Sequence, residues 1–299
     1  MAEHPQKVQG KKFMFLRLNK LGFFLSILML LGLTGCAFKA IIYEHLDWVV
    51  MHQVDSYLDL SKEQELKLKP VVSDAIHWLK KEKIPSAILV FQKLEEAARA
   101  HRYDQSLNKL LSDEVDQVRK DLITKYEQPI QQLLLSLSSD QVDYLAKKLK
   151  KSNKDMKDVL EEKNVDKAYD SIIKKQAKNV IEWYGDLENS QEEFFYKSMR
   201  LSRPQIEQRL AERERIQNYM IDTLKSKDEA KVRTMVRSMR DQGEVWQDPV
   251  YIKYRNIAEE RWVVYLKALH SSLTDKQWKH LEEQLAEMRH DLERMIGRE

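Results

Sequence analysis

Hydrophobic residues recur at helical spacing along most of the chain. Near the C-terminus they follow one seam in alternating steps of three and four residues, formed by Trp278, Leu281, Leu285, Met288, Leu292 and Met295. A second stripe with helical periodicity contains Leu68, Val72, Ala75, Ile76 and Leu79. These steps place apolar side chains on one face of an α-helix, and that face is typically buried against a neighbouring helix. The pattern predicts an all-α protein, an elongated multi-helix bundle over residues 40–297.

Residues that break helices are rare. The 299 residues include only 7 glycines and 6 prolines, whereas β-sandwiches and barrels need turn residues about every ten positions. This composition excludes those β folds. We expect long helices joined by short links, the first from about Ala40 to Leu58. We also expect a kink at Pro70, because proline cannot donate the amide hydrogen bond of a helix interior.

A short motif, L-[ST]-x-x-Q, precedes several of the predicted helices, and we call each occurrence a box. The boxes contain Leu60, Ser61 and Gln64; Leu137, Ser138 and Gln141; Leu201, Ser202 and Gln205; and Leu273, Thr274 and Gln277. In a capping box, the hydroxyl accepts a hydrogen bond from the glutamine amide, and the glutamine side chain accepts one from the amide of the hydroxyl residue. Each box therefore predicts a helix N-cap. The segment Leu187–Gln191 has the same frame with the hydroxyl misplaced, and we interpret it as a degenerate copy.

The boxes are separated by 77, 64 and 72 residues along the chain. These intervals are too long and too uneven for a solenoid repeat. Two interpretations remain open at this point. The boxes are either the trace of an old duplication of a helical hairpin, or four helices that acquired the same common cap independently.

The N-terminal segment has the order of a secretory signal peptide. Five basic residues precede the apolar run Leu21–Leu33, and small residues follow it. A retained membrane helix is the alternative, because Leu21–Phe38 contains 18 uncharged residues. The tetrad Leu33, Thr34, Gly35 and Cys36 resembles the bacterial lipobox, and Cys36 is the only cysteine of the chain.

The lipobox resemblance implies that residues 1–35 are a signal peptide and that the new N-terminus, Cys36, carries lipid. Residues 36–39 would then be a lipidated tether and residues 40–297 a helical periplasmic domain. Ala37 after the cysteine is similar to the pattern of outer-membrane sorting, with the inner membrane as the alternative. Met14 is an alternative start that still leaves a basic segment of normal length.

The charge balance argues against a nucleic-acid partner. The predicted signal peptide carries five of the 51 basic residues and one of the 48 acidic residues, which leaves 46 against 47 in the mature chain. Proteins that bind nucleic acid need a net basic face. We therefore expect partners to be the membrane, through the N-terminal lipid, and a protein of the envelope.

The spacing of possible metal ligands gives little support for a metal site. Glu287 and His290 have the i, i+3 spacing of di-iron bundles, but such a site needs a second motif of this kind and two further glutamates. Asp74 and His77 are the only near relatives. We predict no metal and no other cofactor.

Sequence signals for catalysis are also weak. There is no G-x-S-x-G elbow, and Gly185, Gly243 and Gly297 are too isolated to form a phosphate loop. Adjacent carboxylates such as Glu95 and Glu96 diverge around a helix. We predict that the protein is not an enzyme.

Two surface features have alternative interpretations. The run Lys147–Lys151 contains four lysines, and a solvated helix face is favoured over a contact with anionic lipid. The six tryptophans include Trp48, Trp183, Trp246 and Trp262. We expect them to lie mostly in the core, with an exposed groove for an apolar or unfolded client as the alternative.

Three segments together resemble an uncharacterised family of proteobacterial lipoproteins, domain-of-unknown-function family 6279. These are Tyr43–Trp48, Val54–Gln64 and Glu182–Gln191, and residues 36–64 are the most specific part. The boxes are also similar to the motif of Spy/CpxP-type periplasmic helical proteins. The family resemblance implies a helical periplasmic lipoprotein and supplies no catalytic residue. We expect a non-enzymatic envelope interaction or chaperone-like role; an envelope enzyme or metal-binding stress protein with dispersed Glu and His is the alternative.

Overall fold

The computed structural model describes residues 45–162, 165–200, 202–241 and 248–297, and these residues form an all-α bundle. The helices are α1 (Leu46–Leu58), α2 (Lys62–Trp78), α3 (Ile84–Arg99), α4 (Gln105–Lys125), α5 (Glu127–Ser136), α6 (Ser139–Ser152), α7 (Lys154–Glu161), α8 (Val165–Tyr184), α9 (Asn189–Met199), α10 (Arg203–Ser226), α11 (Glu229–Asp241), α12 (Pro249–Ser272) and α13 (Asp275–Ile296). The predicted fold class is confirmed. The predicted first helix ends at Leu58 as expected, but it begins at Leu46 and not near Ala40, because His45 has a non-helical backbone and is its N-cap. Residues 40–44 lie outside the described residues.

The C-terminal seam is buried as its spacing predicts. On α13, Trp278, Leu281, Leu285, Leu292 and Met295 are buried, and Met288 is half-buried. They pack against α3 through Ile84, Ile88 and Phe91, with Leu46 of α1 in the same cluster. This contact joins the two ends of the described chain. Two further clusters fill the rest of the bundle, one around Phe195 and Tyr265, and one around Val142 and Met235.

The backbone departs from α geometry between α2 and α3. Helix α2 continues past Pro70 to Trp78, and a π-helical turn, Leu79–Lys83, follows directly. Pro85 lies in the first turn of α3 and cannot donate a hydrogen bond to the carbonyl four residues before it. The change of helical register before a proline is a feature that the apolar pattern did not predict. The kink at Pro70 stays a prediction.

The helices around the boxes form two four-helix units with the same pairing scheme. In the first unit, a box joins α1 to α2 and another joins α5 to α6; α1 contacts α6, and α2 contacts α5. In the second unit, a box joins α8 to α9 and another joins α12 to α13; α8 contacts α13, and α9 contacts α12. A duplicated hairpin would give this repeated exchange of partners, whereas independent caps would not require it.

Candidate functional site

The boxes close as N-caps in the way their spacing predicts. At the start of α2, the Gln64 amide donates to Ser61 Oγ at 3.3 Å, and the Ser61 amide donates to Gln64 Oε1 at 2.9 Å. The boxes that begin α6 and α13 close reciprocally in the same manner. At the start of α10, the Ser202 amide donates to the Gln205 side chain, and the Gln205 amide donates to the Ser202 carbonyl. This satisfies amide groups that have no partner within the helix. In each closed box, the side-chain NH₂ group of the glutamine is left to donate elsewhere.

Gln64 and Gln141 use that group to bind each other, and we call them the first box pair. Gln64 Nε2 donates to Gln141 Oε1 at 3.1 Å, and Gln141 Nε2 lies 2.7 Å from Gln64 Oε1. Each also donates to a carbonyl just before the opposite box: Gln64 to Ser136 at 3.1 Å, and Gln141 to Asp59 at 2.7 Å. The pair therefore ties the ends of α1 and α5 to the starts of α2 and α6.

Gln191 and Gln277 repeat this arrangement, and we call them the second box pair. Gln191 Nε2 lies 3.1 Å from Gln277 Oε1, and Gln277 Nε2 lies 2.7 Å from Gln191 Oε1. Gln191 donates to the Ser272 carbonyl at 2.9 Å, and Gln277 donates to the Asp186 carbonyl at 2.8 Å. The second pair therefore ties the ends of α8 and α12 to the starts of α9 and α13.

The box interpreted as degenerate still begins a helix in the manner of the others, which corrects the sequence analysis. Glu188 is the N-cap of α9, and its carboxylate takes the place that a hydroxyl has in the other boxes. The Glu188 amide donates to Gln191 Oε1 at 2.9 Å. A carboxylate is an effective acceptor at a helix N-terminus, where the helix dipole also favours negative charge. The misplaced Ser190 is therefore irrelevant to the cap.

The remaining box, at the start of α10, stands outside the two pairs. The Ser202 amide donates to Gln205 Oε1 at 2.7 Å, and Gln205 is buried. Within the described part of the chain it has no glutamine partner from another box. Its leucine, Leu201, lies outside the described residues.

An extended sequence signal distinguishes the members of each pair. Asp59 and Asp186 precede the box leucine in the first member, and Ser136 and Ser272 precede it in the second. These four residues supply the carbonyls that the opposite glutamines bind. The serine side chains contribute too, because Ser136 Oγ and Ser272 Oγ also accept from the glutamines. A motif that includes the residue before the leucine therefore separates the two members of each pair.

A cluster of aromatic and histidine side chains surrounds Trp278, the residue that follows Gln277 of the second box pair. His270 lies against Tyr103 and Trp278, with ring centroids 4.5 Å and 5.3 Å away, and Tyr184 Oη is 3.4 Å from its Nε2. His101 stacks on Trp278 at 5.3 Å. Burial lowers the pKa of the His270 imidazole below its ordinary value, and a bond to the Leu266 carbonyl opposes that shift only in part.

The family model of a family of unknown function, DUF6279, matches residues 56–255. That range is more than half of the chain. The chain belongs to this family. The DUF6279 match contains the whole first box pair but ends before Gln277, so the second pair lies only partly within it. Comparison with curated proteins gave no match, and comparison with solved structures gave none.

Outside the boxes, several histidine and aspartate side chains of this DUF6279 chain form hydrogen bonds or close contacts with other parts of the protein. His290 contacts Arg289 at 3.1 Å, and Asp74 accepts from the Tyr126 hydroxyl at 2.7 Å. His280 contacts the Glu182 carbonyl at 3.0 Å. Across the described residues, no three His, Cys, Asp or Glu side chains converge as metal ligands.

The tryptophans of the DUF6279 chain are divided between core and surface. Trp78 and Trp278 are buried, and Trp183 and Trp262 are half-buried. Trp48 is 65% exposed, contrary to the expectation of a core role, and stacks on His52 with ring centroids 5.4 Å apart. Trp246 lies outside the described residues. Trp48 is thus a candidate contact residue on α1.

The N-terminal predictions fall where the structure is not described. The lipobox residues Leu33, Thr34, Gly35 and Cys36 lie outside the described residues. Among the helices that are described, none is both long and apolar enough to cross a membrane.

Proposed function

We propose that this DUF6279 protein is a lipid-anchored protein of the outer membrane, facing the periplasm, and that it acts by binding other envelope components without catalysis. The lipobox at Leu33–Cys36 supports the anchor. A chaperone-like contact with apolar segments of other proteins is the activity that the surface favours.

The exposed indole of Trp48 is the observation that carries this proposal. Its ring is parallel to that of His52, with an interplanar angle of 2°, so the two side chains brace each other one helical turn apart. Ordering an aromatic side chain in advance lowers the entropy cost of binding, and tryptophan is the residue type most enriched at the centres of protein interfaces. Leu66 on the neighbouring α2 is 75% exposed and adds apolar surface.

The structural use of the box glutamines supports a binding role as well. Gln64, Gln191 and Gln277 are buried and hold helix ends together. Their fixed geometry gives a stiff scaffold on which exposed side chains keep their positions. Recognition then depends on the surface of the helices and not on the boxes themselves.

An aggregation assay tests the binding activity. The full chain should suppress light scattering by a chemically unfolded client protein, and Trp48→Ala combined with Leu66→Ser should weaken that suppression severalfold. Lys62→Ala and Lys69→Ala, at exposed positions on α2, form the matched control and should leave it unchanged. Failure of the unaltered chain to suppress aggregation would contradict the chaperone-like role.

Fractionation of cells tests the anchor. Cys36→Ser removes the sulfur that would be acylated, so the variant should lose incorporation of a palmitate analogue and remain uncut or leave the outer-membrane fraction. Two or more acyl chains make membrane release negligible, since each buried CH₂ contributes about 0.8 kcal/mol. Undiminished labelling and unchanged outer-membrane location of the variant would restore the alternative of a retained membrane helix.

A further inference from the structure

Five lysines line an open cavity where α6 ends and α7 begins. We call Lys147, Lys150, Lys151, Lys154 and Lys157 the lysine surface. The cavity has a volume of about 400 Å³, and its other lining residues are Asp158 and Glu161. Asn153 is both the C-cap of α6 and the N-cap of α7, so the two helices follow one another without a loop. The short connection holds lysines of both helices beside one cavity.

Four of the five lysines form no ion pair with the described side chains. Lys157 forms an ion pair with Glu214 at 2.7 Å. The other four lysines are exposed, and none has a carboxylate within ion-pair distance among the described side chains. Some exposed lysines elsewhere, such as Lys67 and Lys109, pair with an acid one helical turn away. The lysine surface differs from them because it brings four lysines without an ion pair beside one cavity.

Arg213 adds charge beneath the same corner. Its guanidinium donates to Asn153 Oδ1 at 2.6 Å and to Ser152 Oγ at 2.8 Å, and both acceptors are uncharged. Asn153 is fully buried and is held in place by Gln217 as well. The guanidinium charge is therefore not compensated by either of these acceptors at the junction of α6 and α7.

Helix stability accounts for only part of this arrangement. Lys150 and Lys151 lie in the last turn of α6, where cations interact favourably with the helix dipole. Lys154 is the first residue of α7, where the dipole disfavours a cation. A surface selected only for stability would not need a lysine there.

We propose that the lysine surface binds a lipid surface that carries phosphate groups. Lysine is a flexible point charge, whereas stereospecific recognition of a single phosphate favours arginine with its planar fork of donors. The cavity is open and its free lysines are exposed, which suits a diffuse layer of anionic headgroups. Clusters of four to eight basic residues on a helix are typical of such surfaces. This contact is independent of the acyl anchor and of the contact through Trp48.

Vesicle binding by the full chain tests the proposal. One variant combines Lys147→Gln, Lys150→Gln, Lys151→Gln and Lys154→Gln. The control combines Lys62→Gln, Lys69→Gln, Lys231→Gln and Lys253→Gln, four exposed lysines on other parts of the bundle with the same change in net charge. Vesicles contain either phosphatidylcholine alone or a mixture with phosphatidylglycerol. The unaltered protein, the variant and the control have the same N-terminal segment, so this segment contributes equally to the binding of all three. Circular dichroism tests whether each variant is folded. If the first variant is not folded, a second variant that combines Lys150→Glu and Lys151→Glu takes its place.

The expected result is a loss of about tenfold or more in affinity for the phosphatidylglycerol vesicles in the first variant, against less than about threefold in the control. The difference should shrink as salt is raised, because exposed charges are screened. Equal losses in both variants, or no loss in either, would overturn the proposal. If soluble inorganic phosphate or tripolyphosphate at equivalent charge displaces the protein from the vesicles, the ligand of the lysine surface is a free anion and not a lipid surface.

Discussion

The two box pairs make the same hydrogen bonds in different surroundings. In both, two glutamine amides bind each other and the carbonyls that precede the opposite box. The residue three positions before the box leucine is Leu134 at Leu137 of the first pair and His270 at Leu273 of the second. The residue five positions after that leucine is Val142 in the first pair and Trp278 in the second. The glutamines of the second pair are each 4% exposed, whereas Gln141 of the first is half-buried.

This difference separates what the motif determines from what its surroundings determine. The boxes fix the geometry, since the glutamine closes its cap in only one way and directs its NH₂ group outward from the helix. The surroundings fix the energy, because a polar group that loses its partner in a dry site has no water to replace it. The two pairs should therefore respond unequally to the same substitution.

A buried charge beyond the second pair should have the largest effect. Leu285 lies eight residues after Gln277 and is buried between α13 and α3, while Leu149 lies eight residues after Gln141 and is half-buried. Leu285→Asp should lower the free energy of unfolding by about 4 kcal/mol or more, and Leu149→Asp by about half as much. Chemical denaturation measures both. Equal or reversed costs would mean that the C-terminal seam is not the better-buried one.

Removal of a box glutamine should rank next. Gln277→Ala removes the side chain that binds the Asp186 carbonyl and the Thr274 amide, and it removes one partner of the buried Gln191, which should cost about 2–3 kcal/mol of unfolding free energy. Gln141→Ala should cost about 1–2 kcal/mol, because Gln141 is half-buried and water can reach the exposed Asp59 that it binds. A double variant with Gln191→Ala should cost less than the sum of its single variants, since both remove the same bonds. Strict additivity would show that the two amides do not act as a unit.

The sequence predicted the helices and their caps because both depend on local rules. The seam on α13 needs only the spacing of apolar residues, and the box at Ser61 and Gln64 needs only residues three apart. Pairing of the boxes depends on which helices meet in space, and 77 and 86 residues separate the partners along the chain. Spacing rules do not extend that far. The L-[ST]-x-x-Q motif does not include Glu188, because the motif requires a hydroxyl at a position where Glu188 is the N-cap.

The surface features were harder to predict for a different reason. The sequence shows that Trp48 is large and apolar, but its exposure depends on which face of α1 meets the bundle. The sequence shows the lysines of Lys147–Lys151 as a run within one predicted helix, and only the direct succession of α6 and α7 brings Lys154 and Lys157 to the same cavity. Both depend on tertiary packing, which no local pattern contains.

The caps themselves should contribute less, and equally in the two pairs. Ser61→Ala and Thr274→Ala each remove the side chain that accepts from the box glutamine amide. Each should lower the free energy of unfolding by about 1 kcal/mol, the usual value for an N-cap. If both substitutions leave stability unchanged but abolish binding to a partner, the boxes are recognition elements and not caps.

The smallest effect concerns pH, and it should occur only at the second pair. His270 Nδ1 lies 2.7 Å from the Leu266 carbonyl, so that nitrogen carries the hydrogen, and Nε2 faces the hydroxyl of Tyr184 as an acceptor. Burial lowers the pKa of His270 below its ordinary value of 6.5 in the folded protein. The unfolded chain therefore binds the proton more tightly, and folding favours the neutral ring.

The sign of the pH dependence follows from that shift. The contribution of His270 is fully present above about pH 6.5 and is lost as the pH falls from there towards the pKa of the folded state. His270→Leu, which introduces the side-chain type found at position 134 of the first pair, removes this titration. The unaltered protein should lose more unfolding free energy than the variant between about pH 7.5 and about pH 5.5 in chemical denaturation. Identical losses would show that the His270 ring takes up its proton as easily in the folded protein as in the unfolded chain, and the two box pairs would then differ in burial alone.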